Sequence, residues 1–362
     1  MDIGVVKEIG PQEYRVALAP QGVRELVSLG HRVFVEHDAG TASRYDDRAY
    51  QEAGAEIAFG RDEVFRRGNL ILTVRTPSVK DVEVLDQGQT IMGFLHLTVA
   101  PKDLLTTLRD RKATAIAYEL IEEATGQVPI LAAIGSLAGQ MVVHIAAHLL
   151  EKESGGRGIL LGGVQGLDPA KVLVLGAGTV GRTAAKLLAA SGAHVIILDR
   201  DKDCLAQAVH GMTGRVEMFP ADTKNVARFT AVADAVIGAV RIPGERAPYI
   251  VTRDMVSKMR PGCVIIDVAI DQGGCVETSR PTTLSNPTFV TNGVVHYCVP
   301  NLTANIPRTA SKLLSQTVLP YVTEIARAGS DGAIGNVQSL RKGTVVQNGR
   351  VLVPDVAERI QS

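Results

Sequence analysis

The sequence carries no surplus of either charge: 38 Lys and Arg stand against 38 Asp and Glu, a formal net charge of zero. Chains that bind nucleic acid usually carry a basic excess, so that partner is not expected. Cysteine is scarce. Cys204, Cys263, Cys275 and Cys298 lie far apart with no C-x-x-C pair, which argues against a disulfide framework or a zinc site and suits free thiols in a reducing cytosol. Long apolar runs are missing as well. The longest, residues 141–150, is interrupted by His144 and His148 and is too short for a bilayer. Residues 1–7 read as a short strand and not as a charged head followed by an apolar stretch, so no secretory signal is expected. Together these absences point to a cytoplasmic protein with neither a membrane nor a nucleic-acid partner.

What is present suits two ordinary domains. The chain has 362 residues, 46% of them hydrophobic and 21% charged, enough to bury two cores. Its 36 glycines fit an α/β protein with many tight strand–helix turns. Short apolar strands are expected at residues 3–6, 32–35, 70–74, 90–94 and 113–117, with helices at 21–29 and 46–53. A second series starts near Lys171: strands at 172–175, 194–198, 235–238, 264–267 and 288–291, and a helix at 180–190. Such alternation predicts an α/β fold of two doubly wound, Rossmann-like parallel-sheet domains with a cleft between them. A helical stretch at 136–153 bridges the two series, and another follows at 309–328. Strand-like pieces at 345–353 could return to the first domain. The expected division is residues 1–130 plus 306–362 for a substrate domain and 131–305 for a nucleotide domain.

Gly176-Ala177-Gly178-Thr179-Val180-Gly181 is a G-x-G-x-x-G sequence that follows a strand and opens a helix, the context the motif needs. Gly176 permits the tight turn, Gly178 lets backbone approach a pyrophosphate, and Gly181 lets helix and sheet lie close. The N–H groups of that helix terminus, Thr179 and Val180 among them, favour phosphate. Asp199 ends the next strand, where a carboxylate accepts from the adenosine ribose and repels a 2′-phosphate. NAD is therefore the expected cofactor, although the neighbouring Arg200 could pair with the phosphate of NADP.

Other polar groups follow predicted strands, where open α/β sheets bind ligands. Arg15 lies after the first strand, Arg75 after residues 70–74 and His96 after 90–94. Asp271 lies after 264–267 and Asn301 after 296–300. On spacing alone, Arg15 could be a surface ion pair, His96 a structural hydrogen-bonder, and Asp271 and Asn301 loop caps. His144 and His148 share a helix face, but Ile145 stands where a zinc-protease glutamate would be and no third ligand is evident. No metal is expected there; a core or subunit-interface role is.

With these segments the chain resembles bacterial alanine dehydrogenases nearly end to end. The resemblance rests on Glu13-Tyr14-Arg15-Val16, Phe94-Leu95-His96-Leu97, Gly156-Arg157-Gly158, Val236-Ile237-Gly238-Ala239-Val240, Tyr297-Cys298-Val299 and, most specifically, the long segment from Asp267 to Thr283. The related transhydrogenase subunits share the fold, but this last segment looks like the dehydrogenase version. The resemblance implies reversible oxidative deamination, in which an L-amino acid and NAD give a 2-oxo acid, ammonium and NADH. It further implies that Arg15 holds the substrate carboxylate, that His96 is the acid/base, and that Asp271 orders water near the nicotinamide. By the same resemblance Asn301 bonds the carboxamide or the substrate, Ser136 and Val240 lie along the cofactor together with Arg241 and Leu302, and the assembly is a homohexamer.

The chain departs from the family where reaction is expected. Arg75 stands at a usual lysine; it keeps the charge but cannot deprotonate. Arg241 replaces an apolar residue, Leu302 a common methionine, and Gly135-Ser136-Leu137-Ala138-Gly139-Gln140 the usual Ser-Glu-Val-Ala-Gly-Arg. Three functions stay open: alanine dehydrogenase; a dehydrogenase or reductase for another amino, imino or opine-like substrate, such as one with a second anionic group for Arg75; and an NAD-binding protein that has lost catalysis. Retention of Arg15, His96 and Asp271 argues against the third.

Overall fold

The computed structural model describes residues 1–97, 100–241, 246–354 and 356–357. Among them fifteen strands follow one another. The first six are β1 (Asp2–Val5), β2 (Arg32–Glu36), β3 (Glu56–Ala58), β4 (Leu70–Leu72), β5 (Thr90–Gly93) and β6 (Thr114–Ala117). Then come β7 (Lys171–Leu175), β8 (His194–Asp199), β9 (Val216–Pro220), β10 (Ala235–Gly238), β11 (Val264–Asp267), β12 (Thr288–Thr291) and β13 (Val294–Tyr297). The last two are β14 (Thr344–Gln347) and β15 (Arg350–Val351). The chain divides into two compact units, Met1–Ile134 with Ala304–Ser362, and Gly135–Thr303.

Both units are Rossmann-like α/β folds. The first sheet has the order β15-β14-β6-β5-β4-β1-β2-β3, and β1 to β6 are all parallel. Its inner strands are runs of branched apolar residues buried on both faces, as parallel sheets covered by helices require. Leu70 and Leu72 pack in the core on one side of the sheet, while Ile71 points into the core on the other. The second sheet has the order β12-β13-β11-β10-β7-β8-β9. In each sheet the order reverses once along the chain, between β1 and β4 in the first and between β7 and β10 in the second. The loops leaving the carboxyl ends of those strand pairs diverge there, and such switch points are where open sheets bind ligands.

Two sheet edges depart from the parallel plan. Residues 288–291 do not continue the parallel series: β12 pairs antiparallel with β13 across Asn292-Gly293, both at positive φ. The same Asn-Gly signal, Asn348-Gly349, joins β14 to β15, and β14 pairs antiparallel with β6. An Asn-Gly pair suits the twist of a two-residue hairpin, so local turn chemistry overrides the parallel pattern at both places.

The bridging helix spans Pro129–Leu149 and not 136–153. Proline fits a first helical turn, so the helix starts upstream of the residues whose periodicity is clearest. At 21 residues and a mean hydropathy of 1.8 it is long and apolar enough to cross a membrane by length and composition, unlike the run at 141–150 alone. Ile130, Val142 and Ala146 on it are fully buried. The expected helix at 309–328 extends over Pro307–Asn336, broken internally at Gly329, whose φ is 74°.

Within the second unit, Gly139 brings the bridging helix against the helix Thr179–Ala190. A Cβ on Gly139 would lie 2.6 Å from the Val180 carbonyl oxygen, whereas one on Gly135 would meet nothing closer than 3.4 Å. Gly139→Ala should therefore destabilise by about 1–3 kcal/mol through backbone overpacking. Gly135→Ala should be neutral or stabilising by up to about 1 kcal/mol through helix propensity. Urea unfolding of the two variants checks this; equal effects would contradict the packing argument.

Candidate active site

At the switch point of the second unit the three motif glycines have separate physical duties. Gly176 adopts φ 100°, its N–H donates to the Leu198 carbonyl at 2.7 Å, and a Cβ there would lie 2.5 Å from the Ala239 carbonyl oxygen. Gly181 packs its Cα onto the turn: a Cβ would stand 1.8 Å from the Gly176 oxygen. Gly178 caps the helix Thr179–Ala190, is exposed, and has open space where its Cβ would be. The turn thus presents bare backbone and a helix N-terminus outward, which fits a pyrophosphate. Asp199 ends β8 and accepts from the Ala177 N–H at 2.6 Å and the Asp201 N–H at 2.9 Å. Each carboxylate oxygen has more than one acceptor direction, so these bonds fix the group while it can still receive ribose hydroxyls. Arg200 beside it is exposed. These residues fit a dinucleotide.

The other expected cofactor residues of this unit divide between two places. Val240 and Arg241 follow β10, and the loop there touches the glycine turn through Ala239. Ser136 is half-buried on the bridging helix, one residue beyond Gly135, whose neighbours are Val180 and Thr179. After β11 the chain turns through Val268–Gln272 and on through Gly273 and Gly274, both at positive φ. Buried Asp267 closes the base of this loop by accepting from the Cys275 and Val276 N–H groups at 3.0 and 3.2 Å. Burial raises its carboxyl above the usual carboxylate range, against the pull of these hydrogen bonds. Asp271 is exposed at the far end of the loop, and its Oδ1 accepts the Asn301 N–H at 2.9 Å. Asn301 has φ 51°, a left-handed conformation Asn tolerates, and Leu302 behind it is buried. Asp271 and Asn301 are therefore brought together.

In the first unit the expected residues sit on loops at the carboxyl ends of β1, β4 and β5. Arg15 is buried and takes Glu13 with two parallel bonds, Nε to Oε1 at 2.7 Å and Nη2 to Oε2 at 2.6 Å. It is no surface ion pair: the side chains are 3% and 1% exposed. Arg75 is half-buried, with its Nη1 so near Gly10 that a Cβ there would lie 2.3 Å away. His96 holds an uncommon φ of 44°. Its N–H donates to Glu119 Oε1 at 2.6 Å, its Nδ1 stands 3.7 Å from the same oxygen, and its ring is 52% exposed beside Phe94.

Three carboxylates here were not singled out by sequence. Glu119 is buried just past β6 and holds His96 in its strained turn; its Oε2 has no partner among the described residues. Glu13 orients Arg15. Glu8 accepts the backbone N–H groups of Val74 at 2.6 Å and Arg75 at 3.3 Å, joining the two switch-point loops. Loss of solvent pushes its carboxyl up to about 7, with Glu13 adding to the effect and the backbone bonds and Arg61 opposing it. The carboxyl-end rule that points to His96 also points to Glu119. Elsewhere, His144 and His148 are exposed, and His148 lies 3.4 Å from Glu151. Among the described residues the one trio within metal-binding reach is His37, Asp38 and Asp47. All four cysteines are free thiols.

Two doubly wound units, one with a dinucleotide turn at its switch point, define a protein of the two-domain Rossmann class. Family models agree: "Alanine dehydrogenase/PNT, N-terminal domain" matches residues 4–138 and "Alanine dehydrogenase/PNT, C-terminal domain" matches 142–354. An alanine dehydrogenase of Halomonas elongata is 42% identical over 358 residues, covering 99% of this chain and 96% of its own. One of Bacillus subtilis is also 42% identical, covering 99% and 94%. A solved L-alanine dehydrogenase superposes with a TM-score of 0.93 at 40% identity, covering 100% of this chain and 99% of its own. A transhydrogenase from Sinorhizobium meliloti gives 0.83 at 25% identity, covering 98% and 99%. The chain belongs to the alanine dehydrogenase/PNT family.

Glu8 carries a pH signature. Its folded value, about 7, exceeds the 4.5 of a free glutamate, so the folded state holds the proton more tightly. That contribution is complete below about pH 4.5 and is lost as pH rises through 7. From pH 5 to 8 the protein should lose about 2–3 kcal/mol that Glu8→Gln does not lose. Urea titrations of both forms at the two pH values check it, and parallel slopes would contradict it.

Proposed function

We propose that this chain is an NAD-dependent dehydrogenase that oxidatively deaminates an L-2-amino acid. Amino acid, NAD and water give 2-oxo acid, ammonium, NADH and a proton. The observation that carries the reading is the glycine turn at the β7/β10 switch point, with open backbone at Gly178 and a fixed carboxylate at Asp199. In this reading the helix N-terminus at Thr179 and Val180 receives the pyrophosphate, with Gly176, Gly178 and Gly181 beneath it, and Asp199 receives the adenosine ribose. Asp199 also disfavours a 2′-phosphate, so NAD is preferred over NADP. Ser136, Val240, Arg241, Asn301 and Leu302 lie along the remainder of the cofactor. When bound, the nicotinamide accepts the hydride from the substrate Cα.

The chain itself supplies positioning and proton handling. Arg15, its plane set by Glu13, pairs with the substrate α-carboxylate, for which a planar fork is suited. Arg75 adds a second fixed positive charge but no base. His96 takes and returns the proton at the substrate nitrogen or oxygen, since imidazole titrates near neutral pH. Glu119 is a positioning residue that holds the His96 backbone. Asp271 orders the attacking water, and its bond to the Asn301 N–H keeps the two in register. The relatives named alanine dehydrogenases support an L-2-amino acid as the substrate class. The reading requires neither nucleic acid nor a bilayer, and takes the assembly to be a cytoplasmic homohexamer. It assigns residues 1–130 and 306–362 to substrate and 131–305 to nucleotide.

The test is growth of NADH absorbance with purified protein, NAD and a panel of L-amino acids, and its reversal with NADH, ammonium and 2-oxo acids. Turnover with at least one amino acid is expected, with His96→Ala slower by about 10²–10⁴-fold. Asp199→Ala should raise the KM for NAD by about tenfold and narrow the preference over NADP. Binding of NADH without turnover of any substrate would instead favour a nucleotide-binding protein that has lost catalysis.

A further inference from the structure

The loops that leave β1 and β4 line much of a half-open cavity of about 210 Å³ at the switch point of the first sheet. That equals the liquid volume of about seven waters, room for a carboxylate on a short side chain. Glu8, Gly10, Arg61, Thr73, Arg75 and Asp81 are among the residues around it. The two arginines differ in their engagements. Arg61 holds Asp81 through Nε at 2.6 Å and Nη2 at 3.1 Å, and its Nη1 donates to the Lys7 carbonyl at 2.6 Å and to Glu36 at 3.2 Å. Asp81 in turn accepts the Ser78 N–H at 2.9 Å. That cluster is internally satisfied.

The Arg75 guanidinium makes no hydrogen bond or ion pair with the described residues; its backbone N–H alone is engaged, with Glu8. Nη1 lies where a side chain at position 10 would have to be, so glycine there is what admits the fork to the cavity wall. A half-buried guanidinium without a carboxylate partner, facing a space of this size, calls for an anion with two oxygens. The remaining acid of the cavity offers weak competition. Glu8 already accepts two backbone N–H groups, and with its carboxyl near 7 it carries only part of a charge at neutral pH.

We propose that this cavity is a subsite for a second, side-chain carboxylate of the substrate, held by the Arg75 fork over Gly10, so that the amino acid deaminated is an acidic one. The inference rests on the deaminase reading and narrows its substrate class. It concerns specificity: Arg75 grips the distal carboxylate while Arg15 keeps the α-carboxylate. Lysine at position 75 would keep the charge and lose the two-pronged geometry.

The experiment compares kcat/KM for L-aspartate and L-glutamate with that for L-alanine, using full-length protein and NAD. At least one acidic substrate should exceed alanine by about tenfold or more, the worth of one charge-assisted pair. Arg75→Lys should lower that ratio by about tenfold. Gly10→Ala, which displaces only the flexible end of Arg75 and keeps a backbone φ open to alanine, should lower it in the same direction. The readout is the ratio, which a general loss of folding or of cofactor binding would leave in place. Preference for alanine in the parent protein, with a ratio unmoved by either substitution, overturns the subsite and leaves the deaminase reading standing. Absence of NADH formation with every amino acid overturns the deaminase reading, and the subsite with it.

Discussion

The bond from the Ala177 N–H to the Asp199 carboxylate ties together everything proposed for the nucleotide end of this protein. It joins the end of β8 to the turn after β7, and both lie beside the β7/β10 switch point. Because the turn is held from that side, Gly176 can lie against the loop after β10 and Gly181 can lie on the Gly176 carbonyl. Neither approach leaves room for a Cβ. The result is a patch of outward-facing backbone beside a fixed negative charge, the combination on which the proposed binding of a dinucleotide without a 2′-phosphate rests.

The first unit applies the same architectural rule to different chemistry. In place of a glycine turn, the described residues at its switch point include two arginines held by carboxylates, Arg15 by Glu13 and Arg61 by Asp81. Glu13 sets the plane of Arg15, Glu119 holds the left-handed backbone at His96, and Glu8 joins the β1 and β4 loops. A buried acid beside each polar group is a costly arrangement unless its oxygens are occupied, and at Glu13 and Glu8 both oxygens are. Arg75 is the exception, a guanidinium without such a companion among the described residues. That asymmetry, and not the mere presence of positive charge, distinguishes Arg75 from Arg15 and Arg61, whose forks are each held by a carboxylate.

Much of this was legible in the sequence, for reasons that differ by element. Runs such as Leu70-Ile71-Leu72 and Val264-Ile265-Ile266 declare buried parallel strands because sheets covered on both faces need continuous apolar residues. The glycine motif is readable because strand, turn, helix and acid stand at fixed separations. The reversal of β12 was not read, although Asn292-Gly293 is a strong hairpin signal, because residues 288–291 also fit the parallel series. The start of the bridging helix was missed because Ala and Gly give weak periodicity near Pro129. Glu8, Glu13 and Glu119 were missed for a deeper reason: a carboxylate that will be buried against a guanidinium or a backbone N–H looks, in sequence, like any solvated one. Only the folded chain reveals that Gly10 leaves room for Arg75.

The most direct measurement of the central claim is diffraction from crystals of this protein grown with NADH. The account predicts the pyrophosphate above Gly178, within hydrogen-bond reach of the N–H groups at Thr179 and Val180, and a ribose hydroxyl on the Asp199 carboxylate. A dinucleotide bound elsewhere, or bound without contact to Asp199, would contradict it.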